Sequence, residues 1–310
     1  MMLVPVARIA FVLSTGPGDS GEQPLLYQLF PERVFDVEVS LSLADADGES
    51  TMRMYVPVGD ERQEVLVEGT LEGPGPAELT NEPSGRLATW KGSSFSDPSK
   101  VMMVRHGYRV RLRALRVNLD SLPDEMARVR PTHKVHLAST ADIQTSAPDI
   151  ADRLRAIGAL ADTLSVLEKV RRVYDDVLAL RRAPFKGTTD ALTALRLQEA
   201  SCNGRSRLMV AMLRTLGIPS RLVGGIILEN GTKRTSHQWL EAHLGGIWVP
   251  FDALNDHFAA LPDRYLKLYT GDEPLFRHAI GLPFDYSFSV TSRLVMPAEG
   301  LRAHQVWRAF

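Results

Sequence analysis

The chain has 310 residues, of which 44% are hydrophobic and 24% charged, and its formal net charge is −1. This length exceeds a typical domain of roughly 100 to 200 residues, so two domains are expected. With 36 basic and 37 acidic side chains, no excess of one sign indicates nucleic acid or an anionic membrane as a partner. The single cysteine excludes an intramolecular disulfide, and either a reduced cytoplasm or a periplasm would accommodate it.

The segment from Met2 to Leu13 is apolar, but it is shorter than the ~20 residues that span a bilayer, and Pro5 and Arg8 interrupt it. It has no preceding basic segment and no clear small-residue cleavage site. We interpret it as a strand or a loose terminus, with the remnant of a targeting segment as the alternative. No other stretch approaches membrane-spanning length, so no membrane span is expected in this chain.

Residues 32–118 alternate short β-type runs with turn clusters, a pattern typical of a β-sandwich. The clearest strands are predicted at Val34–Leu41, Thr51–Pro57, Val101–Val104 and Tyr108–Leu115. Asp47-Gly48 is a hairpin signal, so the first two strands are expected to pair, as are the last two. We place this β-rich N-terminal domain at residues 1–125, followed by a proline-containing connector.

A second domain is predicted at residues 146–310, where the apolar residues recur every three or four positions from residue 148 onward. Gly158 and Asp162-Thr163 divide this stretch into two helices. A further helix is expected from Cys202 to Leu216, before a glycine that favours a helix end.

Three strands are predicted after this helix. The first runs over Ser220–Leu228 and turns at Asn230-Gly231, a hairpin signal, into a second strand at about Thr235–Leu244. Gly245-Gly246 then turns into a third strand, Ile247–Asp252. The fold class expected from all elements together is α+β, with a helix packed on an antiparallel sheet in the second domain.

Cys202, His237 and Asp252 follow one another in the order used by thiol acyl-transfer sites. A cysteine at a helix N-terminus feels the positive end of the helix dipole, and a neighbouring imidazolium lowers its pKa further. His237 would keep the thiolate charged and later protonate the leaving group, while Asp252 would hold the ring in the required tautomer. Each residue also has an ordinary alternative: a buried thiol, a packed histidine and a turn-capping carboxylate.

The alternation of side chains along a strand tests whether His237 and Asp252 can meet. If Gly245-Gly246 is a two-residue loop, Leu244 pairs with Ile247, and counting outward places Asp252 opposite Trp239. Asp252 then lies on the face of His237, one diagonal step away and within reach of a side-chain hydrogen bond. A bulge at the proline of the third strand would change this parity.

Four further residues are candidates for substrate contacts. The backbone N–H of Cys202 would donate to a tetrahedral oxyanion, and Gln198 is a second candidate donor. Trp239 and Trp248 would wall a groove for the acyl donor, with buried packing as the alternative. Arg205 would attract an acidic substrate, unless it lies on a solvated helix face. No spaced ligand set indicates a metal, and no motif indicates a cofactor.

Residues 198–252 resemble the transglutaminase-like branch of the papain-like cysteine proteins. The resemblance rests on Ser201-Cys202-Asn203-Gly204, Leu213–Arg221, Val223-Gly224-Gly225, His237-Gln238-Trp239 and Trp248–Asp252. It implies a papain-like core, with the superfamily's catalytic Cys, His and Asp at Cys202, His237 and Asp252. The β-rich first half also resembles the β-domain that precedes this core in many members.

A narrower resemblance concerns a bacterial subgroup in which such a domain precedes seven transmembrane helices and is described as inactive. It rests on Cys202–Arg207, Ile227–Gly231, Leu254–Phe258 and Phe284–Tyr286. Because members of that subgroup are associated with ATP-grasp amide ligases, the resemblance implies such a ligase system as a partner, beside a peptide or protein substrate. The leading hypothesis is cysteine-dependent acyl transfer on an amide. The alternative is an inactive domain that binds a peptide or protein.

Overall fold

The structure, a computed structural model, describes residues 26–43, 50–73, 75–92, 102–122, 131–184, 189–278 and 285–293. Its helices are α1 (Pro148–Ala156), α2 (Val166–Leu178), α3 (Ala191–Leu197) and α4 (Cys202–Thr215), with short 3-10 helices at Leu119–Ser121 and Pro131–Leu137. The strands before them are β1 (Tyr27–Leu43), β2 (Ser50–Val56), β3 (Gln63–Glu72), β4 (Glu78–Glu82), β5 (Gly85–Gly92) and β6 (Met102–Val117).

The later strands alternate with and then follow the helices. They are β7 (Arg181–Arg182), β8 (Glu199–Ala200), β9 (Ser220–Ile227), β10 (Gly231–Lys233), β11 (His237–Leu244), β12 (Ile247–Asp252), β13 (His257–Phe258), β14 (Ala260–Leu261), β15 (Tyr265–Thr270), β16 (Phe276–His278) and β17 (Asp285–Arg293).

Two antiparallel sheets contain most of these strands. The first has the order β10-β17-β1-β6-β14, with β3 also on β6, and the second has the order β13-β12-β11-β9-β15-β5-β2-β16, with β4 on β5. Each sheet combines strands from both halves of the sequence: β1 pairs with β17, and β15 joins β9 to β5. The proposed division into domains 1–125 and 146–310 stays a prediction.

The two sheets pack against each other around one apolar core. Phe35 of β1, Val110 of β6 and Phe288 of β17 come from the first sheet, while Met54 of β2 and Leu266 of β15 come from the second. All five are essentially inaccessible to solvent. Because a half-buried strand alternates its side chains between core and solvent, this packing explains the alternating pattern that predicted a sandwich.

A second core lies between the helices and the strands β9, β11 and β12. Val173 of α2 and Met209 of α4 contact the same cluster as Leu222, Leu240 and Val249 of these strands. Helix α4 packs on β11 and β9 and lies against α1, α2 and α3, which is why it is buried nearly all round. The predicted α+β class, with a helix packed on an antiparallel sheet, is confirmed.

Several predicted elements are confirmed by the structure. The helix predicted from Cys202 is α4, and the third strand is β12 with the predicted bounds. The two helices expected after residue 148 are α1 and α2, and the second begins with a capping box in which Ser165 and Glu168 satisfy each other's backbone N–H groups. Helix α3 was not predicted.

Strand pairing in the N-terminal half differs from the prediction. Strands β1 and β2 lie in different sheets, so they do not form the expected hairpin; Asp47-Gly48 itself lies outside the described residues. The strands expected at Val101–Val104 and Tyr108–Leu115 are one continuous strand, β6, beginning at Met102. Residues 2–13 also lie outside the described residues.

The predicted turn at Asn230-Gly231 is wrong as a direct hairpin. Strands β9 and β11 do pair antiparallel, with His237 opposite Gly225. The connection between them leaves the second sheet, however, and its strand β10 pairs with β17 in the first sheet. Gly231 has φ +109°, a conformation that glycine allows at the start of β10.

Candidate active site

Helix α4 places Cys202 at its first position, where the backbone N–H groups lack intrahelical partners. Ser201 is the N-cap residue, but its side chain makes no capping hydrogen bond. The helix start fits closely against its surroundings, because a Cβ on Gly204 would lie 2.9 Å from that of Ala200 and 3.3 Å from that of Ala194. The thiol is partly exposed, and its Sγ lies 3.1 Å from Asn203 Oδ1.

Strand β11 begins with His237, whose side chain is 8% exposed. Its Nε2 lies 2.7 Å from Asp252 Oδ2. The imidazole is stacked on the ring of Trp239 at 6.1 Å and meets the edge of Tyr265 at 5.7 Å. Because Nε2 faces the carboxylate, Nδ1 is the ring nitrogen left for the hydrogen bond with Cys202.

The register that joins the two residues is the one expected from the glycine pair. Leu244 lies opposite Ile247, and the ladder continues to Leu240 opposite Phe251. Pro250 sits opposite Glu241 without shifting the register. The next position therefore brings the carboxylate of Asp252 to the face of the imidazole.

Five donors surround the carboxylate of Asp252, which is 1% exposed. Oδ2 lies 2.7 Å from His237 Nε2 and accepts from Tyr265 OH at 2.8 Å and Asn255 Nδ2 at 2.9 Å. Oδ1 accepts from the backbone N–H groups of Leu254 at 3.0 Å and Asn255 at 3.3 Å. Burial opposes ionisation, but these donors outweigh it and hold the pKa of Asp252 well below its usual range.

The protonation states of Cys202 and His237 are coupled. Burial raises the pKa of the Cys202 thiol, yet the hydrogen bond and charge of His237, with the backbone N–H of Gln238, bring the net pKa below its ordinary value. Burial lowers the pKa of His237, yet Asp252 and Cys202 raise it to about 9. Both shifts favour a thiolate beside an imidazolium near neutral pH.

Tyr265 and Asn255 complete the site and were not predicted as site residues. Asn255 follows Asp252 by three positions, so an Asx-type turn after the strand was its only local signal. Tyr265 comes from β15, and nothing in its own neighbourhood of the sequence indicates the contact. Strands β11 and β9 lie between β12 and β15 in the sheet, and the hydroxyl of Tyr265 still reaches Asp252.

Gln198 is the C-terminal cap residue of α3, and its backbone has φ +52°. Its Nε2 donates to Leu195 O at 2.6 Å, so the amide is held at the end of its own helix. The proposed role of Gln198 as an oxyanion donor stays a prediction. The backbone N–H of Cys202, at the free end of α4, is the stronger candidate donor.

Arg205 is 3% exposed, so the alternative of a solvated helix face is wrong, and its contact with an acidic substrate stays a prediction. Its guanidinium donates to the backbone carbonyls of Ala200, Val177, Leu178, Leu180 and Ala253. These carbonyls belong to the end of α2, the segment before α4 and the turn after β12. Arg205 therefore ties the three segments around the candidate nucleophile together.

The two tryptophans occupy different parts of the sheet. Trp239 is fully buried and packs on Val223 and Tyr265 behind His237. The structure therefore agrees with the alternative interpretation of Trp239, buried packing. Trp248 lies at the far end of the β11–β12 hairpin. It contacts the rings of His133, His136 and His243, and the guanidinium of Arg221 lies 4.1 Å from its ring centre.

Residues 153–253 match the model of the transglutaminase-like superfamily. The chain contains a transglutaminase-like core. Cys202, His237 and Asp252 all fall within the matched segment, whereas β1 to β6 and β13 to β17 lie outside it. The resemblance expected from the sequence is confirmed at the level of the superfamily. The narrower subgroup fused to seven transmembrane helices is not confirmed.

A solved structure resembles most of the chain. It is a protein of Cytophaga hutchinsonii provisionally named a cysteine protease, with 17% identity and a TM-score of 0.66, covering 87% of this chain and 94% of that chain. The two proteins therefore share a fold. The periplasmic domain of TgpA from Pseudomonas aeruginosa has 14% identity over 68% of this chain and 94% of that chain, and its TM-score of 0.33 is too low to support a conclusion. No curated protein matches the chain.

Among the described residues, no helix is long and apolar enough to cross a membrane. Within the same ranges, no three His, Cys, Asp or Glu side chains are grouped closely enough to hold a metal ion.

Proposed function

We propose that this protein is a cysteine-dependent acyl-transfer enzyme acting on an amide, with Cys202 as nucleophile. The reaction is hydrolysis of a peptide or isopeptide bond, or transfer of its acyl group to an amine. His237 is the acid and base, and Asp252 orients its ring. The observation that supports this most is the geometry of the site: Cys202 begins α4, and His237 Nε2 lies 2.7 Å from the buried Asp252 Oδ2. The lowered pKa of Cys202 and the raised pKa of His237 agree with it, because a thiolate beside an imidazolium is the reactive form of such a site.

The first half of the reaction forms a thioester. The thiolate of Cys202 attacks the carbonyl carbon, and the oxyanion that forms is stabilised by the backbone N–H of Cys202 at the positive end of α4. The imidazolium of His237 gives its proton to the leaving nitrogen as the C–N bond breaks. The amine departs, and His237 is left neutral with Asp252 holding its Nε2.

The second half releases the acyl group. Neutral His237 takes a proton from water or from an amine as that molecule attacks the thioester carbonyl. The C–S bond then breaks, and the site returns to thiolate and imidazolium. Asp252 stays ionised throughout, since the donors around it keep its pKa well below its usual range.

The reactivity of the thiol tests this proposal without a known substrate. We expect the rate of labelling of Cys202 by iodoacetamide to reach half its plateau at a pH below the ~8.5 of an unperturbed thiol. His237→Gln should move that midpoint upward, because burial continues to raise the thiol pKa once the histidine is gone. Cys202→Ala, which leaves no thiol in the chain, is the control for labelling and for turnover of amide substrates.

A thiol that labels no faster than N-acetylcysteine between pH 5 and 9 would remove the basis for this activity. That result would favour the other reading of a transglutaminase-like core, an inactive domain that binds a peptide or protein. Binding of such a partner would survive Cys202→Ala. The ATP-grasp ligase system and the peptide substrate implied by the narrower resemblance stay predictions.

A further inference from the structure

The residue after the candidate base, Gln238, is a buried glutamine with an unused hydrogen-bond acceptor. Its side chain is 5% exposed, and its Oε1 makes no hydrogen bond within the described part of the chain. Buried amide oxygens are almost always paired, since an unpaired one costs about 1–3 kcal/mol. Such an atom next to a reactive group therefore indicates a ligand that supplies the missing donor.

The backbone fixes Gln238 beside the thiol. Its N–H lies close enough to the sulfur to lower the pKa of the Cys202 thiol, and its carbonyl accepts from Ser206 Oγ at 3.2 Å, one turn further along α4. Strand alternation gives Gln238 the opposite face from His237 and the same face as Leu240, which packs in the core with α4. The side chain therefore leaves the strand on the side of the first turn of the nucleophile helix.

The opposing strand closes the space on the other side of this glutamine. Gly224 lies opposite Gln238 in β9. A Cβ on Gly224 would come within 2.0 Å of Tyr269 Cζ and 2.3 Å of its hydroxyl oxygen, so the phenol end of that ring lies against the glycine. Gln238 thus has the first turns of α4 on one side, through Ser206, and the glycine that carries Tyr269 on the other.

A second buried polar group without a partner belongs to Ser201, the residue directly before the thiol. The hydroxyl of Ser201 has no partner in the described ranges, although the residue is 8% exposed and occupies the N-cap of α4. Because the cap is not made, the N–H groups at the start of α4 stay available as donors. N–H donors at the start of α4 and an unpaired acceptor on Gln238 therefore both belong to residues that adjoin the thiol.

We propose that Gln238 is a substrate-binding residue whose Oε1 accepts a hydrogen bond from the N–H of the amide under attack. This inference rests on the proposed function. An amide offers a carbonyl oxygen as acceptor and an N–H as donor, and the site offers N–H donors at the start of α4 and the acceptor Oε1 of Gln238. The substrate class is accordingly a primary or secondary amide; esters and tertiary amides lack the N–H.

The proposal also assigns Gln238 a role after the bond breaks. When His237 protonates the leaving nitrogen, the product amine still carries N–H groups, and Oε1 can hold one of them. In acyl transfer the same oxygen would orient the incoming amine, whose lone pair must point at the thioester carbon. A single acceptor orients a water molecule less than it orients an amine, because water can still rotate about one hydrogen bond.

Two alkylating reagents test this hydrogen bond. Iodoacetamide presents N–H groups two bonds from the carbon that the thiolate attacks, and 2-iodo-N,N-dimethylacetamide presents none. In both cases the thiolate displaces iodide and forms a C–S bond. The rate ratio of the two reagents at Cys202, divided by the same ratio for N-acetylcysteine, gives the preference of the site for an N–H.

We expect a preference of about tenfold in the wild-type chain, which corresponds to one hydrogen bond to a buried acceptor. Gln238→Met, similar in size but without an amide, should reduce the preference to about one. Gln238→Glu keeps an acceptor oxygen and should retain it. Gln28→Met, an exposed glutamine of β1, is the matched control and should leave the wild-type value unchanged.

A wild-type preference of one would overturn the proposal. So would a preference that persists in Gln238→Met, because the effect would then come from the bulk of the two methyl groups of 2-iodo-N,N-dimethylacetamide. The wild-type ratio needs no substitution, so it stands even where a variant fails to fold. The ratio compares two reagents at one thiol and is independent of how reactive that thiol is. A slow thiol with a tenfold preference would contradict the enzyme activity and leave the amide site supported.

Discussion

The carboxylate of Asp252 sets the charge of the imidazole beside it. His237 has its pKa raised to about 9 although its ring is buried, and the hydrogen bond to Asp252 is the largest favourable contribution. The reactive pair exists above the lowered pKa of the thiol and below the pKa of His237. Amide turnover should therefore rise with pH as Cys202 ionises and fall as His237 loses its proton around pH 9.

Asp252→Asn should lower the upper limit of this pH range. Without a negative charge beside it, His237 keeps the burial that lowers its pKa and loses the main cause that raises it. The imidazolium then disappears at a lower pH, and the thiol pKa rises because its positive partner is gone. Labelling of Cys202 with iodoacetamide across pH 5 to 10 measures both changes.

Asp256→Asn provides the matched control for this substitution. Asp256 is exposed, lies four positions further on and has φ +56°, a conformation that asparagine also adopts readily. Its labelling profile should follow that of the wild-type chain. If Asp252→Asn also left the profile unchanged, the carboxylate would have no part in setting the charge of His237.

A buried arginine holds helix α4 in position, together with the apolar residues of the helix. The guanidinium of Arg205 bonds to five backbone carbonyls, of which those of Val177 and Ala200 also accept from backbone N–H groups. Arg205→Met should lower the free energy of unfolding by about 3 kcal/mol or more, because buried carbonyls are left without donors.

Urea unfolding of Arg205→Met measures this loss. Arg155→Met serves for comparison, since Arg155 on α1 is 63% exposed and its pair with Asp152 is at the surface. That change should alter stability by no more than about 0.5 kcal/mol. Equal effects of the two substitutions would show that the carbonyl bonds of Arg205 do not stabilise the fold.

The elements around the site were predictable because their signals are local. The spacing of apolar residues and Gly217 indicated where α4 lies and ends, and Gly245-Gly246 indicated the register that brings Asp252 to His237. Tyr265 could not be predicted in the same way, because its contact with Asp252 depends on which strand lies beside β9. The buried partners of Arg205 escaped prediction for the same reason: a charged residue on a helix is exposed by default.

At the scale of the whole molecule, the sequence predicts strands better than it predicts their neighbours. The pattern of β1 and β2 indicated two strands correctly, but the turn signal between them suggested a pairing that the sheets do not contain. Each strand instead pairs with a strand from the end of the chain, β17 for β1 and β16 for β2. Alternation specifies which face is buried and carries no information on a partner hundreds of residues away.

Interleaved sheets predict cooperative unfolding. Strand β15 links β9 to β5, and β1 lies between β6 and β17. Unfolding of either core therefore breaks the strand pairing of a sheet that also packs on the other core. Calorimetry should show one transition whose van't Hoff enthalpy equals the calorimetric enthalpy. Two resolved transitions would mean that the predicted segments 1–125 and 146–310 unfold independently.

The pairing of β1 with β17 also has a consequence for the timing of synthesis. Asp36 of β1 bonds to Arg293 of β17, 257 positions later in the chain. At a translation rate of about 5–20 residues per second, β17 leaves the ribosome roughly 13 to 50 s after β1. During that interval one edge of β1 has no neighbour, and such an edge readily pairs with strands of other chains. The newly made protein is therefore most prone to aggregate before its last described strand is translated.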